Sequence, residues 1–439
     1  MAAAYGGDGA AKLIRSGREV VRAENAVALR RGVHPWMALA LLTALNLFNY
    51  IDRYILPAVQ PLVQDEFHVT NEQLGLLTTA FFICYMAIAP FTGYLADRWS
   101  RRNLVMLGAL LWSGATLLTA LTHDFRVMLI RHTVVGVGEA TFAAIAPAYI
   151  ADLFPQERRG RMLSVFYIAL PVGAALGYVI GGVLGSRFGW RAPFYVCAVP
   201  GMVVALLLFA VREPERGVQD RFKEDDRPNR NSLRLLMKNP AYMTATLGMA
   251  MYTFAIGGIS AWMPTFLYRE RGVPLEKAAL IFGGITVVNG LLATVAGGWW
   301  GDAWMKRTPR AYYLLSAWSM ALCCPVAVLS IYGPRGMMFA ALCGAEFLLF
   351  LNTGPMNTAI VNSVSAKIRA GAVAVNLFII HALGDAVSPW LMGRIADHAS
   401  LAAGFVPAFV AIVVSAALLF FGARFAPLPQ AAASASEAR

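Results

Sequence analysis

Charged side chains inside otherwise apolar stretches are the first candidates for chemistry in this 439-residue chain. Asp52 and Arg53 lie in one such stretch, and Arg131 and Glu139 lie in another. An ionisable group in a lipid-embedded helix costs at least ~2.5 kcal/mol, so such groups tend to face a cavity and to function there. We expect Asp52 or Glu139 to take up a proton and release Arg53 or Arg131 to hold an anionic group. The alternative is a static pair that joins two helices.

Helical spacing extends this cluster in the N-terminal half of the chain. Asn49 and Arg53 are four residues apart and share a face, with Asp52 at its edge. The sequence therefore predicts proton coupling at Asp52 and Glu139. It predicts substrate binding at Asn49, Arg53 and Arg131.

The C-terminal half carries fewer ionisable residues. His381 and Asp385 are four residues apart and can hydrogen-bond on one helix face. Histidine titrates near physiological pH. We therefore count His381 and Asp385 among the candidate substrate-binding residues, with a purely structural pair as the alternative. Glu346 is either a second proton site or a helix-packing residue. Aromatic candidates for an apolar substrate pocket are Tyr252, Trp262, Phe266 and Phe378.

The composition defines the elements that must position these residues. The chain is 58% hydrophobic and 14% charged, and its mean hydropathy is +0.58, which indicates a membrane protein. A helix needs about 20 apolar residues to cross the bilayer. The sequence predicts an all-α protein with twelve transmembrane helices, at roughly 36–59, 73–96, 103–121, 127–152, 162–186, 192–211, 240–267, 277–301, 311–332, 337–363, 370–394 and 401–424.

An internal repeat divides these helices into two sets. Residues Gly93 to Arg102 read GYLADRWSRR, and Gly298 to Arg307 read GWWGDAWMKR, 205 positions later (298 minus 93). Parallel repeats of this kind form two pseudo-symmetric halves with a site between them near the membrane midplane. We predict an N-terminal segment at 1–35, six-helix bundles at 36–211 and 240–425, a linker at 212–239 and a tail at 426–439.

The distribution of Lys and Arg predicts the orientation. Most of the 37 Lys and Arg lie before the first helix, in the linker and in the loops on that same side. Positive residues stay in the cytoplasm, so both termini are expected there. This topology accounts for the net charge of +12 and leaves no basic soluble domain for nucleic acid.

Several motifs expected of enzymes and pumps are missing from the sequence. It has no H-E-x-x-H, no G-x-S-x-G and no Walker A motif, which argues against an enzyme and against direct use of ATP. The five cysteines fall inside predicted helices without metal-ligand spacing. We expect no metal and no cofactor, with a proton gradient as the energy source.

Four sets of residues carry a resemblance to a known superfamily and to one family within it. GYLADRWSRR resembles the G-x-L-A-D-R-x-x-R-R loop signature of the major facilitator superfamily. The runs Asn49 to Tyr54, Gly138 to Ala140 and His381 to Asp385 are similar to those of the Spinster family of lysolipid and sphingoid-phosphate transporters. The resemblance implies the major facilitator fold, transport by alternating access, and substrate and proton coupling at Asp52, Arg53, Arg131 and Glu139. It also implies a bacterial member that works as a monomer in the inner membrane.

The resemblance further implies a gate at the repeated motif. Asp97 is expected to meet the positive N-terminus of a helix in the opposite half, and Gly93 is expected to let the helices approach. Arg98 and Arg102 belong to the same motif, although a simple positive-inside anchor is the alternative for Arg102. The second copy keeps Asp302, but Ala303 replaces the arginine, so we expect a weaker latch in the second copy.

The function predicted is proton-coupled transport of a lysophospholipid or a related amphipathic lipid across the bilayer. One alternative is a proton-coupled carrier of small organic anions or drugs. A second is a sensor that binds a lipid without moving it.

Overall fold

The computed structural model describes residues 35–96, 98–214, 230–364 and 368–426. This described part of the chain is helical and contains no strand. The predicted N-terminal segment (1–35, apart from its last residue), most of the linker, nearly all of the tail and Asp97 lie outside the described residues.

Six long helices form the N-terminal half. Asp124 caps the fourth of them by accepting a hydrogen bond from the backbone of Val127, and such caps satisfy backbone donors that have no partner within the helix. The helices are α1 (Pro35–Phe67), α2 (Asn71–Ala96), α3 (Arg101–Ala120), α4 (Phe125–Leu153), α5 (Gln156–Tyr167 and Ala169–Phe188) and α6 (Arg191–Leu207, extended by a 3-10 turn at Leu208–Ala210).

Six further long helices form the C-terminal half, preceded by a short helix at Arg230–Lys238. They are α7 (Pro240–Arg269), α8 (Leu275–Met305), α9 (Ala311–Tyr332), α10 (Arg335–Phe350 and Thr353–Asn362), α11 (Arg369–Ile380 and Ser388–His398, joined by a π-helical turn at His381–Asp385) and α12 (Leu401–Gly404 and Val406–Gly422, ending in a 3-10 turn at Ala423–Phe425).

The prediction of twelve helices is confirmed, although length and apolar composition alone identify ten of them as membrane spans. The two exceptions are α1 and α7, which are 33 and 30 residues long. Both are packed inside the bundle, α1 mainly against α5 and α7 mainly against α12 and α11. Most residues of α7 are buried. Because these two helices contact other helices more than lipid, they tolerate polar residues that a lipid-facing helix would not.

Glycines permit the close packing inside the N-terminal half. A Cβ atom on Gly138 of α4 would lie 2.4 Å from the backbone oxygen of Gly108 in α3. A Cβ atom on Gly177 of α5 would lie 2.6 Å from the backbone oxygen of Ile51 in α1. Small residues at helix crossings let backbones approach in this way, and here they bring α4 against α3 and α5 against α1.

The two halves are joined at one end of the bundle. We call the end that contains Pro35 and Phe425 the terminal face, and the opposite end the far face. At the far face, Asp397 of α11 accepts hydrogen bonds from the backbone amides of Asn71 (2.9 Å) and Glu72 (2.8 Å). Arg187 and Glu276 also form an ion pair there, with 3.0 Å between Nη2 and Oε1.

Candidate functional site

A buried ion pair lies at the centre of the N-terminal half. Arg53 of α1 donates to Oε2 of Glu139 on α4, from Nη2 at 2.6 Å and from Nε at 3.2 Å. The Glu139 side chain is fully buried, whereas 19% of the Arg53 side chain is exposed. Oε1 of Glu139 has no hydrogen-bond partner. Arg53 therefore binds Oε2 of Glu139 through two hydrogen bonds, whereas Oε1 is left without a partner. The carboxylate thus remains able to accept a proton on Oε1.

Aromatic rings surround the Arg53 guanidinium. Its Cζ atom lies 5.3 Å from the ring centroid of Tyr50 on α1. On α2 the rings of Phe81, Phe82 and Tyr85 lie at 5.2, 5.6 and 5.6 Å. These four rings form what we call the aromatic box. Ring faces stabilise a cation without neutralising it, so the box holds Arg53 in place and leaves its charge available to an anion.

Asp52 occupies a different environment from its neighbour Arg53. Its side chain is buried and accepts a hydrogen bond from the hydroxyl group of Thr116 on α3. Asn49 is also buried, lies beside Glu139, and has an amide nitrogen without a hydrogen-bond partner. The two predicted proton sites are thus held differently, Glu139 by a cation and Asp52 by a neutral hydroxyl.

The C-terminal half meets the aromatic box through His381. Its Nδ1 atom lies 2.9 Å from Oδ1 of Asp385, so the two side chains form the hydrogen bond that their spacing predicts. The His381 ring stacks on Phe82, with centroids 5.5 Å apart, and meets the edge of Tyr85 at 5.9 Å. His381 and Asp385 both belong to the π-helical turn of α11, a distortion that is frequent at functional sites. Arg53 and His381 therefore contact the same two rings from opposite halves.

Arg131 lies apart from this cluster. Its Nη1 atom donates to the backbone oxygen of Leu118, 2.6 Å away, in the last turn of α3. Arg131 and Glu139 are eight positions apart on one helix, about 12 Å along its axis, so they are held at different depths. Arg131 thus donates its hydrogen bond to the backbone at the C-terminal end of α3. Its role in substrate binding stays a prediction.

The predicted aromatic lining residues are spread over the C-terminal half. Trp262 is buried and donates to the backbone oxygen of Pro389 at 2.9 Å, which joins α7 to α11. The Tyr252 hydroxyl lies 3.4 Å from the hydroxyl of Thr353. Phe266 packs edge-on against Phe405, and Phe378 is 57% exposed. Trp262, Tyr252 and Phe266 therefore contact other side chains or backbone here. Contact of these residues and of Phe378 with substrate stays a prediction.

Comparison with known proteins decides the family. Residues 42–389 match the model of the Major Facilitator Superfamily. Protein spinster homolog 1 of Xenopus tropicalis is 35% identical over 400 residues, which are 86% of this chain and 75% of the relative. The Sphingosine-1-phosphate transporter SPNS2 of Danio rerio is 35% identical over 396 residues, which are 84% of this chain and 78% of the relative. The chain belongs to the Spinster family of the major facilitator superfamily.

Solved structures share this fold. An inward-facing, unoccupied bacterial homolog of the human lysosomal transporter Spinster has a TM-score of 0.81 at 23% identity, covering 89% of this chain and 97% of that one. A D-xylose-proton symporter has a TM-score of 0.72 at 17% identity, covering 89% and 98%. The predicted family and fold are confirmed. Spinster proteins are transporters rather than enzymes, so this chain is a membrane-spanning secondary transporter.

The gate motif of this Spinster protein holds its own half together. The side chain of Arg101 pairs with Asp152 at the end of α4, and its backbone amide donates to Glu213, 2.8 Å away, after α6. Arg102 donates to the backbone oxygen of Val211 at 3.0 Å. The Arg98 guanidinium stacks on the Tyr94 ring at 3.6 Å. Asp97, the predicted latch, lies outside the described residues.

The close approach expected at Gly93 is absent from this structure. Gly93 is exposed, and a Cβ atom built on it would have no neighbouring atom within 4 Å. Gly93 lies near the terminal end of α2. The Asp397 hydrogen bonds and the Arg187–Glu276 ion pair join the halves at the far face, so they do not bring the opposite half close to Gly93. In the second copy, Asp302 accepts a hydrogen bond from the Tyr312 hydroxyl at 2.7 Å. The partner of Asp302 is therefore the neutral phenol of Tyr312 rather than a charged group.

Sequence analysis missed Thr116 and all four rings of the aromatic box. The spacing of Phe81, Phe82 and Tyr85 was a usable signal, because residues one helical turn apart share a face. Lipid-facing helices carry similar aromatic patterns, so the spacing alone does not distinguish a site from the membrane surface.

Proposed function

We propose that this protein is a proton-coupled transporter of a lysophospholipid or a related amphipathic anionic lipid. It works without a cofactor, as a monomer in the inner membrane of a bacterial cell, with both termini in the cytoplasm. The observation that carries the proposal is the Arg53–Glu139 ion pair inside the aromatic box, at the place where His381 of the other half makes contact.

The pair supports an exchange of a proton for an anion. When Glu139 is ionised it neutralises Arg53, so an anionic headgroup gains little by binding there. Protonation of Glu139 removes that charge and leaves a buried guanidinium without a counter-ion, which is costly and favours binding of an anion. Arg is suited to phosphate because its guanidinium donates two parallel hydrogen bonds. Proton binding and headgroup binding are thereby coupled.

Two further observations support a lipid substrate and an alternating mechanism. A relative that matches 84% of this chain is named a sphingosine-1-phosphate transporter, a carrier of a single-chain lipid phosphate. The Asp397 hydrogen bonds and the Arg187–Glu276 ion pair join the halves at the far face, whereas Gly93 is exposed toward the terminal face. With the termini in the cytoplasm, this arrangement corresponds to a transporter open to the cytoplasm.

Uptake into proteoliposomes tests the proposal. Labelled lysophosphatidyl lipids are offered with and without an inward proton gradient to wild type, Asp52→Asn and Glu139→Gln. Asp124→Asn is the matched control, because Asn caps a helix as well as Asp does. We expect gradient-stimulated uptake by wild type and the control, and loss of the stimulation in Asp52→Asn and Glu139→Gln.

Each other outcome has a definite meaning. Uptake that ignores the gradient contradicts proton coupling. Binding without uptake indicates a lipid sensor. Neither binding nor uptake of lipid, with uptake of small organic anions or drugs, indicates the alternative carrier.

A further inference from the structure

Glu346 is a buried carboxyl group that the proposed exchange does not use. It lies on α10, one turn before the interruption between Phe350 and Thr353. Only 1% of its surface is exposed, and neither carboxyl oxygen has a hydrogen-bond partner. Burying even a neutral polar group without a partner is unfavourable, and burying an ionised one is far more so.

The groups that face Glu346 are neutral. The hydroxyl group of Thr286 on α8 lies beside it and is itself buried without a partner. The other groups that interact electrostatically with Glu346 are also uncharged. They are the Tyr252 hydroxyl on α7, the Cys323 thiol on α9, and the hydroxyls of Tyr54 on α1 and Tyr178 on α5. Within the described part of the chain, Glu346 forms no ion pair with a Lys, Arg or His side chain.

A small apolar cavity adjoins Glu346 between α7, α9, α10 and α12. It has room for about one water molecule. Its walls are mainly the side chains of Ile259, Met263, Leu342, Phe405 and Phe409, with the Ser330 hydroxyl as a polar exception. A metal cation needs more oxygen ligands than Glu346, Ser330 and a single water can supply. A proton needs only one carboxyl oxygen.

We propose that Glu346 is a second proton-binding site, in the C-terminal half, and that it holds its proton in this conformation. An ionised carboxylate in these surroundings would have no compensating charge, and an uncompensated charge is costly in a membrane interior. A bound proton removes that cost. Release of the proton requires a conformation in which water reaches the cavity, so Glu346 links protonation to the arrangement of the helices that line it, α7, α9, α10 and α12.

This inference deepens the proposed function and rests on it for the transport readout. It adds a proton that is carried independently of the Arg53–Glu139 pair. The two sites differ in what proton release leaves behind, because ionised Glu139 has a guanidinium partner and ionised Glu346 has none.

Infrared spectroscopy tests the protonation state without any transport assay. The spectrum of the purified full-length protein at neutral pH is compared with that of Glu346→Gln. We expect the variant to lose intensity in the carbonyl stretch of a protonated carboxyl group. The matched control is Glu276→Gln, whose carboxylate is 37% exposed and paired with Arg187, so this variant loses carboxylate intensity. Loss of carboxylate intensity in Glu346→Gln would overturn the proposal.

A second variant protects the test against misfolding. If Glu346→Gln does not give a folded protein, Glu346→Asp retains a carboxyl group and should shift the protonated band rather than remove it. A spectrum of Glu346→Asp without any change in that band would overturn the proposal as well.

The number of protons moved per substrate provides the transport readout. We expect Glu346→Gln to move one proton fewer per lysolipid than wild type while still exchanging labelled lipid. An unchanged ratio would show that Glu346 only packs helices. If wild type moves no lysolipid at all, the proposed substrate fails, whereas the infrared result still decides the protonation of Glu346.

Discussion

The two halves of the molecule bury acidic side chains in opposite ways. In the N-terminal half, Glu139 is paired with Arg53, and Asp52 accepts a hydrogen bond from Thr116. In the C-terminal half, Glu346 is equally buried but has neither a cation nor a hydrogen bond. The two halves therefore share the same arrangement of six helices but differ in how their buried charges are paired. If Glu346 holds its proton as we propose, then pairing with a cation, rather than burial, distinguishes Glu139 from Glu346.

The largest effect is expected from Arg53→Leu, which breaks the paired side of this comparison. The substitution leaves Glu139 buried without its cation, and removing one partner of a buried ion pair costs about 3–5 kcal/mol. We expect a lower thermal unfolding temperature in detergent and loss of uptake. Adding Glu139→Gln to Arg53→Leu should restore much of the stability but not the uptake. If Arg53→Leu alone is as stable as wild type, Glu139 is already protonated, as we propose for Glu346.

A smaller effect is expected from His381→Phe, which tests the contact between the halves. The new ring retains stacking on Phe82 but loses the hydrogen bond to Asp385. Hydrogen bonds to charged groups contribute about 1.5–3 kcal/mol, so we expect uptake to fall about tenfold or more. The measurement is the initial rate of uptake at equal amounts of reconstituted protein. Wild-type uptake by this variant would show that stacking alone suffices at the meeting point.

Thr116→Val sharpens the difference between Asp52 and Glu139. It removes the only hydrogen bond that the structure shows to Asp52, which should cost about 1–3 kcal/mol because the carboxyl group is buried. Thr119→Val is the matched control, since that hydroxyl donates only to the backbone oxygen of Ala115 in its own helix. The midpoint of thermal unfolding is measured for both. Equal destabilisation by the two substitutions would argue against a specific role for the Thr116 hydroxyl.

The smallest effect on stability is expected at the repeated gate motif. Neither Gly93 nor Gly298 has an atom within 4 Å of a Cβ built on it, so Gly93→Leu and Gly298→Leu should change the free energy of unfolding by less than about 0.5 kcal/mol. We expect turnover to fall more in Gly93→Leu, because the first copy has the complete charged motif. The initial rate of uptake reports turnover. Equal turnover in the two variants would contradict an asymmetric gate.

Helix positions were largely predictable, and the exceptions are informative. The apolar stretches identified all twelve helices because each must cross the same thickness of hydrocarbon. Interruptions inside α5, α10, α11 and α12 were not predicted, since they depend on contacts with neighbouring helices. The π-helical turn at His381–Asp385 is one of them, and a Cβ on its Gly384 would lie 2.9 Å from the Thr253 side chain of α7.

The candidate site was predictable only in part. The polar spacing on α1 and the acid on α4 indicated Arg53 and Glu139, and the structure pairs them. The same reasoning grouped Arg131 with them, although its depth on α4 places it at the end of α3. Sequence spacing defines a face of one helix. It does not say at what depth a residue of another helix will lie beside it.

By itself, the sequence determined the membrane environment, the twelve helices, the duplication and the family, because these depend on composition, length and local motifs. The tertiary structure decided which charges meet. It placed Arg53 in an aromatic box built largely by α2, gave Asp52 a hydroxyl from α3, and left Glu346 without a partner. These pairings depend on the depth and rotation at which separate helices pack, and those follow from contacts between residues far apart in the chain.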